Sequence, residues 1–75
     1  MVDVRRIRGR MVELGVSVAT LADHLSLNPA SVYRRFNSPE DITVGEAQKI
    51  KTVLHLSGAE ASEIFFADES HKMRQ

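Results

Sequence analysis

The sequence predicts an all-α fold of five short helices, on three observations. Apolar residues recur at three- and four-residue spacings in five separate stretches. Helix-start signals stand before four of them: Ser17, Asn28-Pro29, Thr43 with Glu46, and Ser57 with Glu60. No stretch alternates apolar and polar residues over the length of a strand. The chain has 75 residues and no cysteine, so neither a disulfide nor a thiolate zinc site can staple it. A domain of this size buries only about 60% of the surface its unfolded chain exposes. Its core is therefore thin, and a partner chain is a natural supplement.

The first helix carries Ile7, Met11 and Leu14 on one face, and Gly15 supplies its stop. Ser17 caps a second helix that buries Val18, Leu21, Ala22 and Leu25. Ser26-Leu27-Asn28 is a short turn. Asn28 then offers a side-chain acceptor and Pro29 a pre-set φ, which opens a third helix with Val32 and Phe36 on its inner face. A polar loop from Asn37 to Asp41 follows. Thr43 and Glu46 form a capping box for a fourth helix that buries Val44, Ala47, Ile50 and Leu54, with Ile42 stapling its start. Ser57 and Glu60 open a fifth helix over about 58–67, with Ala61, Ile64 and Phe65 inward. The organisation is then one domain over 1–67 and a frayed tail over 68–75.

Several function classes drop out. The longest uninterrupted apolar run is four residues, Ile64-Phe65-Phe66-Ala67, far short of the roughly 20 needed to span a bilayer. The N-terminal arginines precede no apolar block, so no secretory signal is expected and the cytoplasm is the expected compartment. His24, His55 and His71 are spaced too widely for a helical metal pair. No nucleophile, base and oxyanion set converges in the sequence, and no glycine loop cradles a phosphate. No enzyme, metal, cofactor or small-molecule ligand is therefore expected.

The formal charge is zero, but it is divided unevenly. Residues 1–37 hold six arginines against Asp3, Glu13 and Asp23, a net +3. Residues 38–75 hold Lys49, Lys51, Lys72 and Arg74 against seven acids, a net −3. The cations of the first half are all arginine, which suits forked contacts to guanine and phosphate better than lysine does. An acidic half turned away from any polyanion is the corresponding expectation.

Residues 17–37 hold two short helices joined by a three- or four-residue turn, with small Ala22 in the first and β-branched Val32 ten residues later. Two helices that cross steeply need a small residue at the crossing and apolar anchors around it. The run Leu21-Ala22-Asp23-His24-Leu25-Ser26-Leu27-Asn28-Pro29-Ala30-Ser31-Val32-Tyr33-Arg34-Arg35-Phe36-Asn37 resembles the helix-turn-helix of the lambda-repressor-like superfamily, the phage repressors, Cro proteins and Xre-type regulators. The resemblance extends to Leu14-Gly15-Val16-Ser17, to Ile42-Thr43-Val44-Gly45-Glu46-Ala47 and to Glu63-Ile64-Phe65-Phe66, covering about 4–67. Ser26 stands where the family often has glycine, and Val18 where it often has a phosphate-holding glutamine.

The resemblance implies a sequence-specific regulator that binds double-stranded operator DNA as a homodimer, in a bacterial or phage-infected cell. It implies base readers at Asn28, Pro29, Ala30, Ser31, Tyr33 and Arg34. Arg34 suits a guanine edge, Asn28 an adenine if its capping carbonyl is spared, and Pro29 and Ala30 a thymine methyl. Tyr33 either reads or packs. Arg35 and Arg5, Arg6, Arg8 and Arg10 are phosphate candidates, although the latter four also fit a plain solvated helix face. Ser17, Thr20 and Thr43, at the starts of the second and fourth helices, are further phosphate candidates. Of Phe65 and Phe66 one fits the core, and Phe66 or a neighbour fits a dimer contact. The alternative is a helical protein-interaction module, an antirepressor or antitoxin-like partner of another regulator, with no specific DNA binding of its own.

Overall fold

A computed structural model describes residues 2–66. Ala67, the predicted tail, His71, Lys72 and Arg74 lie outside the described residues. Five helices run α1 (Val4–Leu14), α2 (Val18–Leu25), α3 (Pro29–Asn37), α4 (Val44–Val53) and α5 (Gly58–Phe65), with a single 3-10 turn at Pro39–Asp41. All-α architecture is thus as expected, and the described residues contain no strand.

Each helix is started by a side chain. Asp3, Ser17, Asn28, Thr43 and Ser57 each accept a hydrogen bond from the amide three residues on. Thr43–Glu46 and Ser57–Glu60 close both halves of their capping boxes. Three helices end by one shared device. Gly15, Ser26 and His55 take left-handed backbone at φ 69, 58 and 54°. The amide after each reaches back to a carbonyl five residues earlier, Val16 to Met11, Leu27 to Ala22 and Leu56 to Lys51. The apolar residue past each stop, Val16, Leu27 or Leu56, turns back against the core.

Left-handed backbone strains a side-chain-bearing residue by about 1–2 kcal/mol. Glycine avoids that but gives up about 0.5–1 kcal/mol to the entropy of the unfolded chain. Ser26→Gly is therefore expected to raise stability by up to about 1 kcal/mol, a few degrees in a thermal melt. A lowered midpoint would show that Ser26 is not held in that conformation.

The core is Ile7, Met11, Leu21, Ala22, Leu25, Val32, Phe36, Ile50, Leu54, Leu56 and Ile64. It draws on all five helices. α2 is the hub, packed against both α3 and α4, while α1 packs on α5. The Asp3 amide donates to the Ile64 carbonyl at 2.7 Å and ties the start of α1 to the end of α5.

Two expected core residues are corrected. Val44 is 77% exposed, because it occupies the first position of α4 while the inner stripe begins at Ala47. Leu14 is 38% exposed and outside the core, and Val16, past the turn at Gly15, packs on the core instead. Val18, Ala61 and Phe65 are only partly buried.

Candidate nucleic-acid interface

α2 and α3 are joined by a short turn in which Ser26 takes left-handed backbone. Ala22 and Val32 are both in the buried cluster that joins the two helices. With Val32 and Phe36 inward, the outer face of α3 presents Pro29, Ala30, Tyr33, Arg34 and Asn37, with Asn28 at its tip. Five of the six expected base readers are thus on one exposed face. Tyr33 is half exposed.

Ser31 is the exception. It is 7% exposed and is the one polar residue among the buried ones described. A side chain so placed cannot reach a base edge. Its Oγ instead accepts a hydrogen bond from Arg34 Nη2 at 2.8 Å. Asn28 is exposed, but its Oδ1 accepts from the Ser31 amide at 2.9 Å. A forked adenine contact from Asn28 therefore requires breaking the α3 cap, whereas its side-chain amide donor is left for other partners.

The expected phosphate candidates divide in the structure. Arg35 is clamped, its Nε donating to Glu46 Oε1 at 3.1 Å and its Nη2 to Oε2 at 3.3 Å. It ties α3 to α4 and is not a free cation. Arg10 is also engaged: Nε donates to the Leu54 carbonyl at 3.0 Å and Nη2 to the His55 carbonyl at 3.4 Å, while Nη1 meets Glu13. It satisfies the C-terminal carbonyls of α4 from the side of α1. Arg6 lies 3.6 Å from Glu63 on α5. Arg8 sits over the Phe36 ring at 5.8 Å, beside α3. Among the described residues Arg5, Arg8 and Arg34 have no carboxylate within 4.0 Å.

The two expected helix-start anchors also differ. Ser17 and Thr20 are exposed, hydrogen-bonded to one another at 3.0 Å, and α2 has no acid in its first turn. At α4 the Glu46 carboxylate already accepts from the Thr43 amide at 3.0 Å. A second anion beside Thr43 would meet that charge, so α2 is the better of the two starts for a phosphate. Two acids of the second half, Glu63 and Glu46, pair across to arginines of the first, Arg6 and Arg35.

Burial pushes the Glu46 carboxyl up, but hydrogen bonds from Arg35 and the Thr43 amide, with the Arg35 charge, outweigh it and hold the group below the ordinary 4.5. Glu60 is held low by its hydrogen bonds from Ser57. A carboxyl more acidic folded than unfolded stabilises the fold above its unfolded value, and that contribution disappears as pH falls through the lowered folded value. Stability is expected to fall on acidification below the ordinary glutamate range, and Glu46→Gln to flatten that fall. Urea unfolding across a pH series measures it. An unchanged acid limb in Glu46→Gln would remove the clamp from the account.

A shallow groove between α4 and α5 is lined by Val44, Ala47, Lys51, Ala61, Phe65 and Phe66. Phe65 leans partly on the core, while Phe66 is 53% exposed. Among the described residues no three His, Cys, Asp or Glu side chains gather as a metal site, and no helix is long and apolar enough to cross a membrane.

The sequence signals that were missed are instructive. The Ser31–Arg34 contact is an i,i+3 pair readable in principle from spacing alone. The Arg35–Glu46 clamp and the Arg10 contacts to the end of α4 join distant segments, and nothing local announces them. Compared with known proteins, no family model, no curated protein and no solved structure matches the chain.

Proposed function

We propose that the chain is a sequence-specific DNA-binding regulator of the lambda-repressor-like kind, with α3 as the recognition helix in the major groove. One observation carries the reading. The helix-turn-helix α2–α3 buries Val32 and Phe36 and leaves Asn28, Pro29, Ala30, Tyr33 and Arg34 together on an exposed face. That set combines a forked donor, an aromatic and small apolar side chains, the types that meet base edges. Arg8 beside α3, with Ser17 and Thr20 at the acid-free start of α2, supports phosphate anchoring on either side.

So few contacts bind weakly and select poorly as a monomer. The reading therefore includes a homodimer on a roughly palindromic operator, with half-sites about 34 Å apart. The apolar α4–α5 groove with exposed Val44 and Phe66 supports that pairing.

A second reading, the protein-interaction module, draws on the engagement of Arg6, Arg10 and Arg35 by groups of the chain itself. One experiment separates the two: enrichment of randomised duplexes by the purified chain, then fluorescence titration of the winners. The DNA reading expects two inverted half-sites and two chains per duplex. It also expects affinity that falls with salt, with a log–log slope of about −0.9 per phosphate contacted. Binding no tighter than to random duplex overturns it in favour of the second.

A further inference from the structure

We infer that Ser31 is a positioning residue for Arg34, a buried hydroxyl that fixes the guanidinium on the outer face of α3 so that one base pair is read in a set orientation. This rests on the DNA reading above. Packing alone does not call for a hydroxyl at position 31, since alanine fills nearly the same space in a helix. Capping does not call for it either. The Ser31 group bonded to Asn28 is the backbone amide, which any residue but proline supplies. Among the described residues the hydrogen-bond partner of Ser31 Oγ is Arg34 Nη2, at 2.8 Å.

Arg34 in turn has no carboxylate within 4.0 Å among the described residues, unlike its neighbour Arg35, which Glu46 holds. Its side chain spans one turn toward the N-terminal end of α3, the direction helical side chains lean. That is also the end of a recognition helix that enters the groove first. Ala30, one turn before Arg34, is small and leaves the path open. One of the five guanidinium N–H groups is used on Ser31, and four remain, enough for a forked contact to a guanine edge. A long side chain held in place beforehand loses less freedom on binding than a free one. The effect falls on discrimination at that base pair and not on general affinity.

The test is a double-mutant cycle on the enriched operator and on the same operator altered at the base pair that Arg34 contacts. Ser31→Ala is expected to lower preference at that pair about fivefold, the scale of one hydrogen bond. The melting midpoint and salt slope should stay at wild-type values, which a packing role would not allow. In an Arg34→Ala background, Ser31→Ala is expected to change nothing.

Equal losses in both backgrounds, or no loss in either, overturn the inference and leave the DNA reading standing. If the wild-type chain enriches no site at all, the DNA reading fails and the inference falls with it. Should Ser31→Ala not fold, NMR of the wild-type chain decides. Arg34 Nε–H is expected to be more ordered than that of Arg5, and equal mobility overturns the inference.

Discussion

Truncating Leu21 to alanine is expected to lower the thermal midpoint by at least about 8 °C and to remove a large share of the domain's stability. Leu21 is 0% exposed, in the middle of α2, the helix packed against both α3 and α4. Removing a buried leucine side chain forfeits its transfer free energy and leaves a cavity, together about 2–5 kcal/mol. Marginal domains carry about 0.05–0.15 kcal/mol of stability per residue, so a chain of this length has only about 4–11 kcal/mol in all. In a domain of this size each kcal/mol moves the midpoint by about 4–8 °C. Val12→Ala is the control, since Val12 is 82% exposed and its truncation should stay within about 0.5 kcal/mol. A Leu21→Ala midpoint as close to wild type as that of Val12→Ala would mean that α2 is not the hub of the core.

That concentration explains which parts of the molecule the sequence made legible. Local devices were readable because their physics is local. The caps at Ser17, Asn28, Thr43 and Ser57 each act over three residues, and the stop at Gly15 needs a residue free to take positive φ. The stop at His55 was not readable, because histidine carries no such signal and only the apolar Leu56 beyond it hints at the motif. Helical periodicity finds the inner stripes but not their ends, so spacing places Val44 and Leu14 inside although the core stops short of both.

The candidate site divides the same way. Exposure along α3 follows from Val32 and Phe36 being inward, so Tyr33 and Arg34 were identifiable from spacing. The occupation of Arg35 by Glu46 and of Arg10 by the end of α4 depends on segments 11 and 44 residues apart meeting in space. Counting charges along the chain cannot show that half of the basic group is already spent within the fold. Among the described residues Arg6, Arg10 and Arg35 are paired with carboxylates and Arg5, Arg8 and Arg34 are not, with Arg8 and Arg34 nearest the outer helix.

Those remaining cations are expected to behave differently on DNA, and the contrast is the second large effect. On the proposed reading, Arg34→Ala lowers preference at a single base pair by about 1–3 kcal/mol, roughly 5- to 150-fold, with smaller losses on unrelated duplexes. Arg8→Ala weakens every duplex alike and makes the salt slope shallower by about 0.9, one phosphate. The distinction follows from placement. Arg34 lies on the exposed face of α3 with four donors to spare, and Arg8 lies beside α3 on α1, over the Phe36 ring. Titrations of both variants against the enriched operator, its single-pair substitutions and a random duplex across a salt series measure both quantities at once. If Arg34→Ala weakens all duplexes equally, Arg34 is a backbone anchor and specificity lies elsewhere on α3. If neither variant changes binding, the α3 face does not meet DNA, and the protein-interaction module becomes the reading that the arginine pairings favour.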